Sequence, residues 1–137
     1  MILLDSSVLI EIFRKKNKEK TLFYKLSQTE NNFCISSITY YEIGIGNKES
    51  HYEYWNSLSE KLIVIPFDKS CAITAIEVYS DLVKNNMIID LANILIDATA
   101  LTHNIPIATL NKKQRIIIFS NHGSQEVAKG LEKKILK

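Results

Sequence analysis

Runs of three or four apolar residues rich in Ile and Val recur along this chain, each too short to be a helix. They are Ile2–Leu4, Phe33–Ile35, Leu62–Ile65, Ile107–Thr109 and Ile116–Phe119, and the longer stretches between them have helical spacing. A continuous apolar strand has no wet side, so it needs cover on both faces. Short strands of this kind alternating with helices specify a central parallel sheet between helical layers, an α/β sandwich. Two prolines and four glycines leave little room for long loops. In such sheets ligands gather beyond the C-terminal ends of the strands. The residues that follow each run therefore carry the functional question.

At 137 residues and 46% hydrophobic, the chain holds one ordinary core and not two, so a single domain is expected over residues 1–137. No run of about eighteen apolar residues predicts a membrane-spanning helix. The opening MILLDSSVLIEIF has neither a basic leader nor a small-residue cleavage site and does not read as a secretory signal. Cys34 and Cys71 lack metal-ligand spacing and form no disulfide framework. A reducing cytoplasm is the expected compartment.

The net charge of +2 announces no strongly basic surface, although the cations are clustered. Arg14, Lys15 and Lys16 stand with Lys18 and Lys20, a second group is Lys112, Lys113 and Arg115, and a lysine-rich tail begins at Lys129. Solvated helix ends and phosphate contacts beside a cleft both fit such clusters, and composition does not separate them.

Three helices can be placed. Residues 68–85 put Ala72, Ile76, Tyr79 and Val83 on one apolar face, with Asp68 as N-cap. Ser36 or Ser37 caps another helix, with Ile38, Tyr41 and Ile45 on its inward stripe. A third begins near Asp90 and turns Leu91, Ile94, Leu95, Ala98 and Leu101 to the sheet, leaving Asp90, Asn93 and Asp97 on a stripe beside them.

Against this frame a few polar residues stand out. Asp5 follows the first strand directly; it suits a helix N-cap, a task Ser6 or Ser7 can share, and it equally suits a ligand site at the sheet edge. Glu42 shares the apolar stripe of its helix, where an unpaired carboxylate is costly and a cation resolves the cost. Glu11 is an ordinary first-helix glutamate. Asn93 lies in the first turn of its helix near the sheet edge, with Asp97 about 6 Å further down the axis. Asn111 ends the last strand at the same edge. No glycine-rich phosphate loop follows a strand. His51, His103 and His122 lack the spacing of a zinc site or a nucleophile–base pair.

Three ordered segments, "ILLDSSVLIE", "ISSITYYEI" and "LANILIDATALTHNIPIATLN", resemble the PIN domain, in particular the VapC toxins of toxin–antitoxin pairs. The first resembles that family's strand-end Asp followed by a small hydroxyl residue. The second resembles its serine-initiated helix bearing a Glu. The third, the most specific, resembles its D-x-x-I-A-A-T-A-L…P-L-x-T-x-N block. The resemblance spans residues 1–111 and fades beyond Arg115. It implies a three-layer α/β/α sandwich and an endoribonuclease, often acting on transfer RNA, that uses Mg²⁺ or Mn²⁺ held by acids. It also implies a homodimer and a VapB-like antitoxin that inserts a segment near the site.

Carried over by position, Asp5 and Glu42 match the family's first two acids. The third acid stands six residues before the block's threonine, here Thr99, which makes it Asn93. Asp97 falls where the family has a small residue, Asn111 matches, and Gln114 and Arg115 stand where the family has an acid or histidine followed by phenylalanine. Ser6 and Ser37 are then the hydroxyls placed to hold the carboxylates or a bound water. The Asn at 93 raises a second reading, a non-catalytic PIN domain that dimerises and binds antitoxin, with Asp97 or Asp90 as substitutes if activity survives. A third reading is a phosphoacceptor receiver domain built on Asp68 and Lys112. It is weakened because "LLDSSV" offers one acid where a receiver needs two.

Overall fold

The computed structural model describes residues 1–87 and 90–111. Four parallel strands, β1 (Ile2–Leu4), β2 (Phe33–Ser36), β3 (Ile63–Ile65) and β4 (Ile107–Ala108), form one sheet in the order β3-β2-β1-β4. Leu3 faces Cys34 on one side and Ile107 on the other, and Ile35 faces Val64. The helices are α1 (Ser6–Arg14), α2 (Leu22–Ser27), α3 (Ser37–Gly46), α4 (Tyr52–Lys61), α5 (Lys69–Lys84) and α6 (Leu91–His103). The order is not the 2-1-3-4 arrangement of a receiver sheet. Moreover, Asp68 caps α5 by accepting the Cys71 backbone N–H at 3.0 Å, so the receiver reading is set aside.

The pleat of β1 divides the core. Ile2 and Leu4 point into a cluster with Val8, Leu9 and Ile12 of α1, Leu22 and Leu26 of α2, and Trp55 of α4. Leu3, between them, points the other way with Cys34 and Ile107 onto Ile96 and Ala100 of α6. Both faces of the central strand are thus sealed, and the expected three-layer sandwich is what forms. The first three core side chains are 0% exposed, and each contributes roughly 1.5–3 kcal/mol relative to exposure. The edge strand β3 departs from the expectation of full burial, with Ile63 52% and Val64 40% exposed. The expected strand Ile116–Phe119 lies outside the described residues, as do Lys112, Lys113, Arg115 and the lysine-rich tail.

Two helices present a different face to the core from the one their apolar spacing suggests. In α5 the buried residues are Cys71, Ala75, Val78 and Leu82. The expected inward stripe is outward instead, with Ile76, Tyr79 and Val83 more than half exposed. The smaller stripe lets α5 approach Ile94 and Ala98 of α6 closely. In α3, Thr39 and Ile43 are buried while Tyr41 and Ile45 are exposed. Helix α6 turns Ile96 and Ala100, rather than Leu91 and Leu95, to the sheet. It ends in a left-handed Asn104 (φ 53°), with the Ile105 N–H closing on the Ala100 carbonyl at 3.0 Å. That cap reverses the chain tightly into β4. No described helix is long and apolar enough to cross a membrane.

Candidate active site

The strand order reverses between β1 and β4: the chain moves outward from β1 to β2 and β3, then returns to the other side of β1. Doubly wound sheets bind ligands at such a switch point. Asp5 sits there, one residue beyond β1, and its backbone N–H bonds the Ala108 carbonyl at 3.0 Å.

Asp5 occupies the N-cap position of α1 but its side chain makes no capping hydrogen bond. The capping explanation of this residue therefore fails. Its Oδ2 instead accepts from the Ser7 hydroxyl at 2.7 Å and the Thr109 hydroxyl at 2.9 Å. Each hydroxyl in turn accepts a backbone N–H, from Leu110 at 3.1 Å and Asn111 at 3.0 Å respectively. An N–H on the hydroxyl oxygen fixes its rotor, so both O–H protons aim at the carboxyl. Chains of this kind polarise one another, and a charged acceptor strengthens them further. Asp5 is 2% exposed and Thr109 0%, so water hardly competes.

Glu42 is held in a parallel way. The Ser6 hydroxyl donates to its Oε1 at 2.6 Å, tying the start of α1 to the middle of α3. Adjacent serines thus each take one acid, Ser6 holding Glu42 and Ser7 holding Asp5. Glu42 is half-buried. The ion pair found among the described residues is Lys15–Glu11 at 3.4 Å, so no described Lys or Arg neutralises Glu42. Glu11 itself is structural, accepting the Leu22 N–H at 2.6 Å at the start of α2.

The remaining candidates separate. Ser36 caps α3 by accepting the Ile38 N–H at 2.9 Å. The Ser37 hydroxyl accepts the Phe67 N–H at 3.0 Å and so fastens the loop after β3. Asn93 is half-buried in the first turn of α6, which packs on α3, the helix bearing Glu42. Asp97, which the helical angle sets on a stripe beside the apolar face, is 0% exposed. Asn111 is half-buried and its backbone enters the site through Thr109. Among the described residues no group of three His, Cys, Asp or Glu side chains is placed to hold a metal. Burial pushes the Cys34 thiol up to about 11.

Two hollows flank α1. One of about 550 Å³ is lined by Ser6, Glu42, Arg14, Lys48 and His51 among others. The second, about 420 Å³, is lined by Ser7, Glu11, Arg14, Lys15 and Leu110. Arg14 borders both, and Lys15 of the same basic cluster borders the second. Lys15 pairs there with Glu11, while Lys18 lies 5.6 Å from the Tyr54 ring centroid. Thr109, Lys48 and His51 are functional candidates that sequence reading passed over. Thr109 was visible as the threonine of the "TLN" block; Lys48 and His51 carry no local signal.

These features define a class: an α/β/α domain with hydroxyl-held acids at the switch point of a parallel sheet. The sequence pattern of the PIN domain matches residues 2–133, and the chain belongs to that family. It is similar to Ribonuclease VapC1 of Methanocaldococcus jannaschii, with 34% identity over 113 residues, 82% of this chain and 76% of the relative. Its fold resembles VapBC2 from Rickettsia felis bound to a promoter DNA fragment, with TM-score 0.71, 23% identity, and 83% and 90% of the two chains covered. It also resembles FitAcB from Neisseria gonorrhoeae, with TM-score 0.73, 24% identity, and 86% and 93% covered.

Proposed function

We propose that this protein is a VapC-like toxin, a metal-dependent endoribonuclease that acts on RNA, transfer RNA included, in the cytoplasm and is neutralised by a VapB-like antitoxin. The observation that carries this reading is the pair Asp5 and Glu42. Neither carboxylate is used for capping, and Glu42 is half-buried without a described cationic partner. Such a donor set fits Mg²⁺ or Mn²⁺, which take hard oxygen ligands and are commonly held by one or two carboxylates plus water and substrate phosphate. Asp5 and Glu42 would hold the ion, and Asn93 offers a neutral amide oxygen in place of a third charge. When bound, the ion supplies an activated water and stabilises the leaving oxygen.

The chain's own residues do the positioning. Ser6, Ser7 and Thr109 fix the orientation of the two carboxylates, while Arg14 and Lys48 line hollows that suit the RNA phosphates. The exposed apolar face of α5, with Leu91 67% exposed beside it, supports a homodimer, because a contiguous patch of this kind marks an interface. The similarity to VapBC assemblies supports the antitoxin partner.

The test compares RNA cleavage by this chain and its Asn93→Asp variant, with Mn²⁺ and with chelator. Outer-shell changes at metal sites alone alter affinity or activity by about 10–100-fold. Restoring the ligand charge is therefore expected to raise cleavage at limiting Mn²⁺ by about tenfold or more. Equal cleavage by both would remove Asn93 from the metal site and bring Asp97→Asn and Asp90→Asn forward. Asn93 also supports a second reading, a non-catalytic module that dimerises and binds antitoxin. Antitoxin binding without metal-dependent cleavage by either form would favour it.

A further inference from the structure

We propose that His51, backed by Phe13, is a stacking platform for an unpaired nucleobase of the RNA, next to the acidic site; the inference rests on the ribonuclease reading. Phe13, near the end of α1, and His51, in the 3₁₀ turn Glu49–His51, lie nearly parallel, with centroids 5.4 Å apart and planes 16° apart. Both rings line the hollow that contains Glu42 and Ser6. Phe13 is immobilised from behind by edge contacts with Tyr54 at 5.8 Å and Trp55 at 6.3 Å. His51 thus stacks on a braced ring and is itself partly exposed. Its ring nitrogens bond no described group.

The surroundings suit a nucleotide better than they suit plain packing. A histidine needed only to cover Phe13 gains nothing over Leu, whereas a flat ring backed by another ring offers its π-face to any base. Arg14 and Lys48 line the same hollow and are placed for the flanking phosphates. Gly46 borders it as well, and a Cβ built there would meet nothing within 4 Å, so the space is open rather than filled by side chains. The base stacked on His51 lies in the same hollow as Glu42 and therefore close to the scissile position. It makes His51 a residue that selects unpaired RNA.

The experiment measures binding of a short single-stranded oligoribonucleotide carrying 2-aminopurine, in chelator so that nothing is cut, for the full chain, His51→Leu and His51→Phe. Stacking on an aromatic side chain accounts for about five- to a hundred-fold in affinity per base. His51→Leu is expected to lose affinity in that range and to lose the fluorescence quenching, while His51→Phe keeps both within about threefold. Thermal unfolding of the three forms controls for folding. Equal affinity of the Leu and Phe forms, with Mn²⁺-dependent cleavage intact, overturns the platform and leaves the ribonuclease reading standing. Absence of both RNA binding and cleavage in the unmodified chain overturns both.

Discussion

Replacing Thr109 by Val tests the arrangement around Asp5 with almost no change of shape. The Thr109 hydroxyl donates to Asp5 Oδ2 at 2.9 Å and accepts the Asn111 N–H at 3.0 Å. A hydrogen bond to a charged group contributes about 1.5–3 kcal/mol, and an orphaned N–H adds to the loss. Because Thr109 is 0% and Asp5 2% exposed, water does not replace the missing donor. Thr109→Val should therefore destabilise by about 2–3 kcal/mol, while Thr109→Ser, which keeps the hydroxyl and loses a methyl, costs about 0.5–1.5 kcal/mol. Ser7→Ala should cost about 1–2 kcal/mol, since Ser7 is half-exposed. The double variant should exceed the sum by about 0.5–1 kcal/mol, because either hydroxyl alone still donates to Oδ2. Urea unfolding near neutral pH measures all four, with unchanged m-values required for the comparison. In a thermal scan the Val variant should fall by roughly 6–15 °C. A Val variant as stable as the Ser variant would refute the claim that the hydroxyl, and not the methyl, holds this corner together.

Two further outcomes follow from other parts of the fold. The Cys71 backbone N–H, bonded to Asp68, holds that carboxyl below its ordinary range, helped by the Cys71 side chain and by the charge of His103. A lowered carboxylate pKa contributes stability that is fully present above the unfolded value and lost as pH falls through the folded one. The stability gap between the unmodified chain and Asp68→Ala should therefore be level from neutral pH to about 5 and narrow below about pH 4, as denaturant titrations across that range would record; a gap that widens on acidification contradicts the assignment. Gly44 lies inside α3 with nothing within 4 Å of a built Cβ. Gly44→Ala should raise stability by about 0.5–1 kcal/mol, and a loss of stability on urea unfolding would show that α3 is packed more tightly there than the structure has it.

The strands were legible because a three-residue run that is apolar throughout has few alternatives, and all four described strands fall within a residue or so of the runs that foretold them. The inward faces of the helices were harder. Helix α5 carries two apolar stripes one residue apart, Ala72–Ile76–Tyr79–Val83 and Cys71–Ala75–Val78–Leu82. Periodicity favours the bulkier one, but close packing against Ala98 selects the one with small residues. Glu42 stands out in the sequence as a carboxylate on an apolar stripe, but that stripe faces outward at Tyr41 and Ile45; in the fold Glu42 is half-buried and held by the Ser6 hydroxyl from α1. Asp97 stands on a stripe beside the apolar face by helical angle, and its full burial is a tertiary effect that a helical wheel does not encode. His51 and Lys48 reach the acidic site through the turn after α3, a tertiary juxtaposition that no local pattern encodes. The serine pair is intermediate: "DSS" announces hydroxyls near an acid, but only the fold assigns Ser6 to Glu42 and Ser7 to Asp5.

The bond from Thr109 to Asp5 joins residues 104 positions apart, across the pairing of β1 with β4. Asp5 is translated long before Thr109, and the hydroxyl that orients it is made only after all six described helices. The sheet's β1–β2 and β2–β3 pairings need far shorter loops and can close first. A nascent or truncated chain lacking β4 would then carry both acids without the clamp that orders one of them. Such an ordering leaves Asp5 without its Thr109 donor until the chain has been made through β4.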